Sequence, residues 1–94
     1  MNLYQAGNLA RSKAGHDKND IFVIIKEEGE YVYLVDGKIR TLENPKRKNK
    51  KHIQPIYYNE NPLYKKVIEN VKIYNEDIKR VIKLFKSEKQ IQEE

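Results

Sequence analysis

The sequence predicts a mainly β fold with C-terminal α structure: a small five-stranded barrel followed by one or two short helices. Over the first 58 residues, short segments rich in β-branched and aromatic residues alternate with turn residues, and no helical pattern intervenes. From residue 60 onward, apolar residues recur at three- and four-residue spacing, which is typical of amphipathic helices. We therefore expect an SH3-like or OB-like barrel in residues 1–58 and a helical appendage in residues 59–94.

The first two predicted strands flank a polar loop. The first strand is expected at Gly7–Ser12, and the second at Ile21–Lys26, whose continuous apolar side chains indicate burial on both faces. Between them, Gly15 and Asn19 are the residues that best tolerate a positive φ, so the loop is expected to bend twice. It should project three basic side chains outward: Lys13, His16 and Lys18.

The remaining strands are predicted from a hairpin signal and a proline. Tyr31–Val35 and Ile39–Leu42 have the composition of strands, and the Asp36-Gly37 pair between them favours a tight type I′ turn. Strands three and four are therefore expected to pair antiparallel, and Pro45 should end the fourth. The alternating segment His52–Ile56 is predicted as a short fifth strand with its proline at an edge.

Two helices are predicted in the appendage. Asn61-Pro62 has the pattern of an N-cap followed by the first helical residue, and a second helix should begin near Asn75, whose side chain is expected to cap its first amides. The apolar stripes are Leu63, Tyr64, Val67, Ile68 and Val71 in the first helix, and Ile78, Val81, Ile82 and Phe85 in the second. The solvated side of the second helix comprises Lys79, Arg80, Lys83 and Lys86. The pattern leaves open whether these stripes pack on the barrel or on another protein.

Positive charge is concentrated in one segment of the chain. The formal net charge is +5, and residues 1–55 carry 11 Lys+Arg against 7 Asp+Glu, counted along the sequence. Five of these cations lie within the six residues Lys46–Lys51. Such a cluster favours a polyanionic partner, whereas the alternative is a solvated loop kept basic for solubility.

Several other function classes lack sequence support. We find no nucleotide-binding glycine loop and no nucleophile motif, so we do not expect an enzyme. The chain has no cysteine, and His16 and His52 lack the neighbours of a metal site, so neither a metal nor another cofactor is expected. Neither a signal peptide nor a membrane span is recognisable, and we expect a cytoplasmic protein. The abundance of lysine, isoleucine and asparagine suggests a bacterial source.

The order of these features resembles the KOW-motif RNA-binding proteins, in the bacterial branch that is similar to a eukaryotic-type large-subunit ribosomal protein. The resemblance covers roughly the first 55 residues. It is carried by Gly7, Ser12–Lys18, Phe22–Ile24, Val35–Gly37 with Ile39-Arg40, and Glu43–Lys48 through His52. The chain differs from the family at Asn19, where glycine is usual, and at His16, where arginine is frequent.

This resemblance implies an SH3-like barrel whose glycine loop and basic segment contact structured RNA, in particular ribosomal RNA, with ribosomal proteins as further partners. The implied RNA-binding residues are Arg11, Lys13, Gly15, His16, Lys18, Asn44, Lys46, Arg47, Lys48, Lys50, Lys51 and His52. Two other functions stay open: a protein-interaction adaptor that uses the barrel or a helix face, and a transcription-elongation accessory, since KOW domains occur there too. The sequence does not indicate an oligomeric state.

Overall fold

The chain folds into a five-stranded antiparallel sheet followed by two helices. The computed structural model describes the backbone of residues 2–93 and the side chains of residues 2–88. The strands are β1 Leu9–Ser12, β2 Ile21–Glu28, β3 Tyr31–Val35, β4 Lys46–Asn49 and β5 Ile53–Ile56; the helices are α1 Leu63–Ile68 and α2 Asn75–Glu93, and a short 3₁₀ helix, Lys50–His52, joins β4 to β5.

The sheet is strongly curved. Its hydrogen-bonded order is β4-β3-β2-β1-β5, so β4 and β5 lie at opposite edges although only three residues separate them in the chain. In a flat five-stranded sheet the two edges would be about 19 Å apart, whereas this connection spans at most about 14 Å. The edges must therefore approach each other. A bulge at Ile25, where the β2–β3 register shifts, adds to the bend.

Both faces of this curved sheet are buried. One core consists of sheet residues together with the partly buried Tyr4, and its fully enclosed members include Ile24, Val32 and Leu34. Because no helical residue belongs to it, this core fills the inner face. The second core lies on the outer face, where the sheet packs against both helices. Its buried members are Leu9, Ile21, Val23, Val35, Tyr58, Leu63, Ile78, Val81 and Ile82.

Helix α2 therefore packs on the sheet through its predicted stripe, whereas Leu63 is the one residue of α1 in this core. In α2 the predicted stripe is buried at Ile78, Val81 and Ile82 and half-buried at Phe85, and the four predicted solvent-facing cations are exposed. The prediction for the first helix is wrong in part: of its stripe only Leu63 is fully buried, Val67, Ile68 and Val71 are exposed, and Val71 lies beyond the end of α1. No helix within residues 2–93 combines the length and apolar character that a membrane span requires.

Most of the predicted strands are confirmed with small shifts at their ends. Strand β3 has the predicted limits, β2 extends two residues further, and β1 and β5 begin at Leu9 and Ile53. Pro55 lies in the edge strand β5, as expected. The side chain of Asn61 accepts a hydrogen bond from the Leu63 N–H at 2.8 Å, so it caps α1 as predicted.

The prediction of the fourth strand is wrong. Residues 39–42 form no strand, and Ile39 is 81% exposed; β3 pairs instead with the basic segment Lys46–Asn49. Asp36 explains the difference, since its carboxylate accepts hydrogen bonds from the N–H groups of Lys38 and Arg40, both at 2.9 Å. The chain after β3 closes into a compact loop and returns to the sheet only at Lys46.

Two smaller predictions are corrected in the same region. Of Asp36 and Gly37, only Gly37 has a positive φ, at 83°, so the type I′ turn does not form. The side chain of Asn75 does not cap α2; its Oδ1 accepts from the Leu42 N–H at 2.8 Å. The Tyr74 N–H donates instead to Asp77 Oδ2 at 2.9 Å, which caps the start of the helix. Asn75 thus holds the compact loop against α2.

Candidate nucleic-acid interface

The loop between β1 and β2 adopts the predicted double bend. Gly15 has a φ of 89° and Asn19 a φ of 76°, and hydrogen bonds from Lys18 N to Gly15 O and from Asn19 N to Ser12 O close the two turns. Such backbone angles are accessible to glycine and, among other residues, most readily to asparagine. The side chains that were expected to project outward are all exposed: Lys13, His16 and Lys18.

Below this loop, a buried carboxylate holds two of the predicted RNA-binding lysines. Lys48 Nζ lies 2.7 Å from Asp17 Oδ1, and Lys46 Nζ lies 2.5 Å from Oδ2. Lys48 also donates to Ala14 O at 2.8 Å, and Ser12 Oγ donates to Asp17 at 2.6 Å. The Lys48 side chain is only 10% exposed and that of Asp17 12%. We call Ser12, Asp17, Lys46 and Lys48 the polar network.

Strand register brings the members of the polar network together. Lys46 and Lys48 pair with Leu34 and Val32, whose side chains belong to the inner core, so both lysines emerge on the inner face. Ser12 follows Ala10 by two residues on β1 and therefore faces the same way. The curvature of the sheet then brings the edge strand β4 within reach of the β1–β2 loop.

The ionisation of Asp17 reflects this environment. Burial by itself raises the pKa of the Asp17 carboxyl, but hydrogen bonds from Lys46, Lys48 and Ser12 together outweigh it and hold the pKa well below its usual range. The carboxylate therefore stays charged throughout the physiological range. Both lysine ammonium groups therefore already have a counter-charge within the protein.

A second contact joins the loop to the 3₁₀ helix. The Lys13 N–H donates to the His52 carbonyl at 2.8 Å. The side chains of Lys51 and His52 are exposed beside this contact, as is that of Lys13. We call the exposed basic side chains of the loop and of the adjoining 3₁₀ helix the loop face: Lys13, His16, Lys18, Lys51 and His52.

The other predicted cations of the basic segment lie elsewhere. Arg47 points to the opposite side of β4 from Lys46 and stacks on Tyr31, with its guanidinium carbon 3.7 Å from the ring centroid. Lys50 forms an ion pair with Glu27 and lies 4.9 Å from the centroid of Tyr4. Both side chains thus have a partner in the protein, although Arg47 is exposed.

Arg11 and Asn44 show no described contact with the loop face. Arg11 lies between Ala10 and Ser12 on β1, and successive side chains of a strand point to opposite faces of the sheet. Its half-buried side chain therefore lies on the outer face. Asn44 is exposed in a turn before β4, where its N–H donates to Thr41 O at 2.9 Å. The structure thus brings together only part of the predicted set of RNA-binding residues.

Sequence reasoning missed the structural role of Asp17. An acidic residue two positions after the loop glycine, in a chain with five cations clustered at Lys46–Lys51, was the available signal. The signal was weak because a carboxylate in a loop is usually solvated. Its partners are 29 and 31 residues away, so no local pattern identifies them.

The chain was compared with models of known protein families and with curated proteins. No model of a known protein family matches the chain, and no curated protein matches its sequence. Among the side chains that the structure describes, no three His, Asp or Glu residues are grouped as a bound metal ion would require.

Proposed function

We propose that this chain is a non-catalytic RNA-binding protein of the KOW type, associated with the ribosome, and that the loop face contacts the phosphate backbone of ribosomal RNA. The observation that carries the proposal is the hydrogen bond from the Lys13 N–H to the His52 carbonyl, which joins the glycine loop to the end of the basic segment. An SH3-like barrel is part of the proposal. The short connection between the two edge strands supports it.

The cations divide into two roles under this proposal. Lys46 and Lys48 hold the loop through Asp17, and Lys50 is paired with Glu27, so these three act as positioning residues. The phosphate contacts fall to exposed cations, namely Lys13, Lys18 and Lys51. Exposed ammonium groups can displace condensed counterions from an RNA backbone without losing an internal partner.

The salt dependence of RNA binding measures the contribution of these phosphate contacts. Three phosphate contacts contribute about −2 to −2.7 to the slope of log K against log salt. Raising the salt concentration from about 50 to 200 mM would then reduce this contribution to binding by about 20- to 40-fold. A binding mode driven by apolar contact would show little change.

The test is a fluorescence-anisotropy titration of labelled large-subunit ribosomal RNA fragments with the purified protein at several salt concentrations. In the variant K13Q/K18Q/K51Q, the slope of log K against log salt should be less negative by about 2 to 2.7. A matched control, K26Q/K65Q/K72Q, removes the same charge from exposed lysines outside the loop face and should change the slope much less. Absence of binding by the wild-type protein at 50 mM salt would contradict the proposal.

The choice of variant follows from the polar network. Replacing Lys46, Arg47, Lys48, Lys50 and Lys51 together would break internal ion pairs as well as remove surface charge. A loss of binding in that variant would not separate a damaged fold from a lost phosphate contact. The loop-face variant changes only exposed side chains and keeps the network intact.

Association with the ribosome is tested in a cell lysate. Tagged protein is sedimented from a lysate at low and high salt, and the bound RNA is sequenced. Recovery of large-subunit RNA at low salt alone supports the proposal. Recovery of the protein with RNA polymerase would instead favour a transcription-elongation accessory.

One observation favours a second candidate function, a protein-interaction adaptor. An apolar groove of about 380 Å³ lies between the N-terminal segment and α1, and its lining includes Tyr57, Tyr64, Val67 and Ile68. Ile68 is 83% exposed and Tyr57 49%, and exposed apolar surface of this kind is typical of protein-binding sites. Association through this groove would be insensitive to salt, would survive K13Q/K18Q/K51Q and would be lost in Ile68→Glu.

A further inference from the structure

Helix α2 carries a second set of cations, away from the loop face. Lys79, Lys83 and Lys86 follow one another at four- and three-residue spacing, so they lie along one side of the helix. All three are exposed, and together with Lys38 they line a groove of about 670 Å³ between α2 and the sheet. None of these four lysines forms an ion pair with a side chain that the structure describes.

This groove begins where the loop between β1 and β2 ends. Its sheet side is lined by Asp20 and Ile21, and Asp20 follows the loop-face residue Lys18 by two positions. The backbone hydrogen bond from Asp20 N to Asp17 O keeps this end of the loop folded at 2.9 Å. The end of the loop that carries Lys18 is therefore also the end at which the groove begins.

The groove carries an excess of cations, most of them on a packed helix. Three of its four lysines stand on α2, which the buried residues Ile78, Val81 and Ile82 anchor to the outer core. The lining also contains two acids, Asp20 and Asp36, and Asp36 Oδ1 accepts hydrogen bonds from backbone N–H groups; the four lysines outnumber both carboxylates. Because packing fixes the backbone of α2, these lysines can meet a polyanion without backbone reorganisation.

We propose that this edge of α2 is a second phosphate-binding surface, and that one RNA segment contacts the loop face and α2 together. This inference rests on the proposed function, because it assigns a further surface to the same ligand. Lys79 and Lys86 are about 10 Å apart along the helix axis, so the edge offers three cations at successive positions to an extended backbone. The RNA-binding footprint then runs from the β1–β2 loop to the second half of the chain.

The experiment compares K79Q/K83Q/K86Q with the control K26Q/K65Q/K72Q in the same salt titration with large-subunit RNA fragments. Both variants remove three positive charges from exposed positions. Loss of up to three phosphate contacts should make the slope less negative by about 2 to 2.7, well beyond the change in the control. Circular dichroism of each variant confirms that α2 is retained.

A second variant tests the same surface through a change that should strengthen RNA binding. Asp20→Asn removes the repulsive carboxylate at the mouth of the groove and should tighten RNA binding by about two- to fivefold at low salt. If K79Q/K83Q/K86Q matches the control while K13Q/K18Q/K51Q loses binding, the α2 surface is refuted and the proposed function stands. If the wild-type protein binds no RNA at any salt concentration, both are refuted.

Discussion

The ammonium group of Lys48 lies 2.7 Å from the carboxylate of Asp17, although the two residues are 31 positions apart in the sequence. This contact ties the edge strand β4 to the loop between β1 and β2. A residue whose sequence context predicts RNA contact is therefore a structural element of the fold. The polar network fixes the loop, and the loop in turn presents the exposed cations.

Removing the carboxylate of Asp17 should destabilise the protein. In Asp17→Asn, Lys46 and Lys48 lose their counter-charge while Lys48 stays largely buried, so we expect the free energy of unfolding to fall by about 1–3 kcal/mol after allowance for solvent screening. Urea denaturation at pH 7 measures the change. Asp20→Asn, at an exposed position in the same loop, is the control and should stay within about 0.5 kcal/mol. Equal stability of the two variants would refute the role of the network.

The contribution of Asp17 to the stability of the protein should decrease in acid. Its pKa in the folded protein lies below the ordinary value of 3.8, so its stabilisation is present above that value and is lost as the pH falls through it toward the folded pKa. The stability gap between wild type and Asp17→Asn should therefore narrow between pH 7 and pH 3. Urea midpoints at both pH values test this, and a gap that widens in acid would contradict it.

Gly37 should not tolerate a side chain. Its φ is 83°, and a Cβ atom would lie 2.6 Å from the backbone oxygen of Asn75 and 2.8 Å from Lys79 Cγ. Gly37→Ala should cost about 2–4 kcal/mol, because backbone strain adds to a clash with the start of α2. Gly29→Ala is the matched control. Gly29 also has a positive φ, of 60°, but a Cβ atom there meets nothing within 4 Å, so only about 1–2 kcal/mol is expected.

The buried hydroxyl of Tyr58 is expected to contribute little to the stability of the protein. This hydroxyl is buried and, apart from the nearby carboxylate of Glu88, has no hydrogen-bond partner among the described residues, and the Tyr58 ring packs edge-on against Phe85. Tyr58→Phe should therefore leave stability at pH 7 unchanged or raise it by up to about 1 kcal/mol. A loss of more than 1 kcal/mol would indicate that the hydroxyl does have a stabilising partner.

The pH dependence of this variant has a defined sign. Burial, reinforced by the charge of Glu88, raises the pKa of Tyr58 to about 12 from an ordinary value of 10.0. The neutral hydroxyl is thus favoured in the folded state, and wild-type stability should decline as the pH rises from 10 toward 12. Tyr58→Phe should decline less over that interval. Thermal or urea unfolding at pH 7 and pH 11 provides the comparison, with Tyr57→Phe as the exposed control.

The sequence by itself determined the features that depend on local chemistry. Alternation and β-branched composition located β1, β2, β3 and β5, since these patterns follow from the two-residue repeat of a strand. Positive φ at Gly15 and Asn19 followed from the steric demands of those residues alone. The buried stripe of α2 likewise followed from helical spacing.

Only the tertiary structure decided which cations remain at the surface. Whether Lys46 and Lys48 face solvent depends on a carboxylate about thirty residues away and on the curvature that brings it within reach. The position of β4 depended in part on a long-range contact too, since Asn75 held against α2 the loop that Asp36 closed locally. Local propensity contains no information about such partners, and the cost of leaving a buried charge without its partner exceeds the preferences that a short segment expresses.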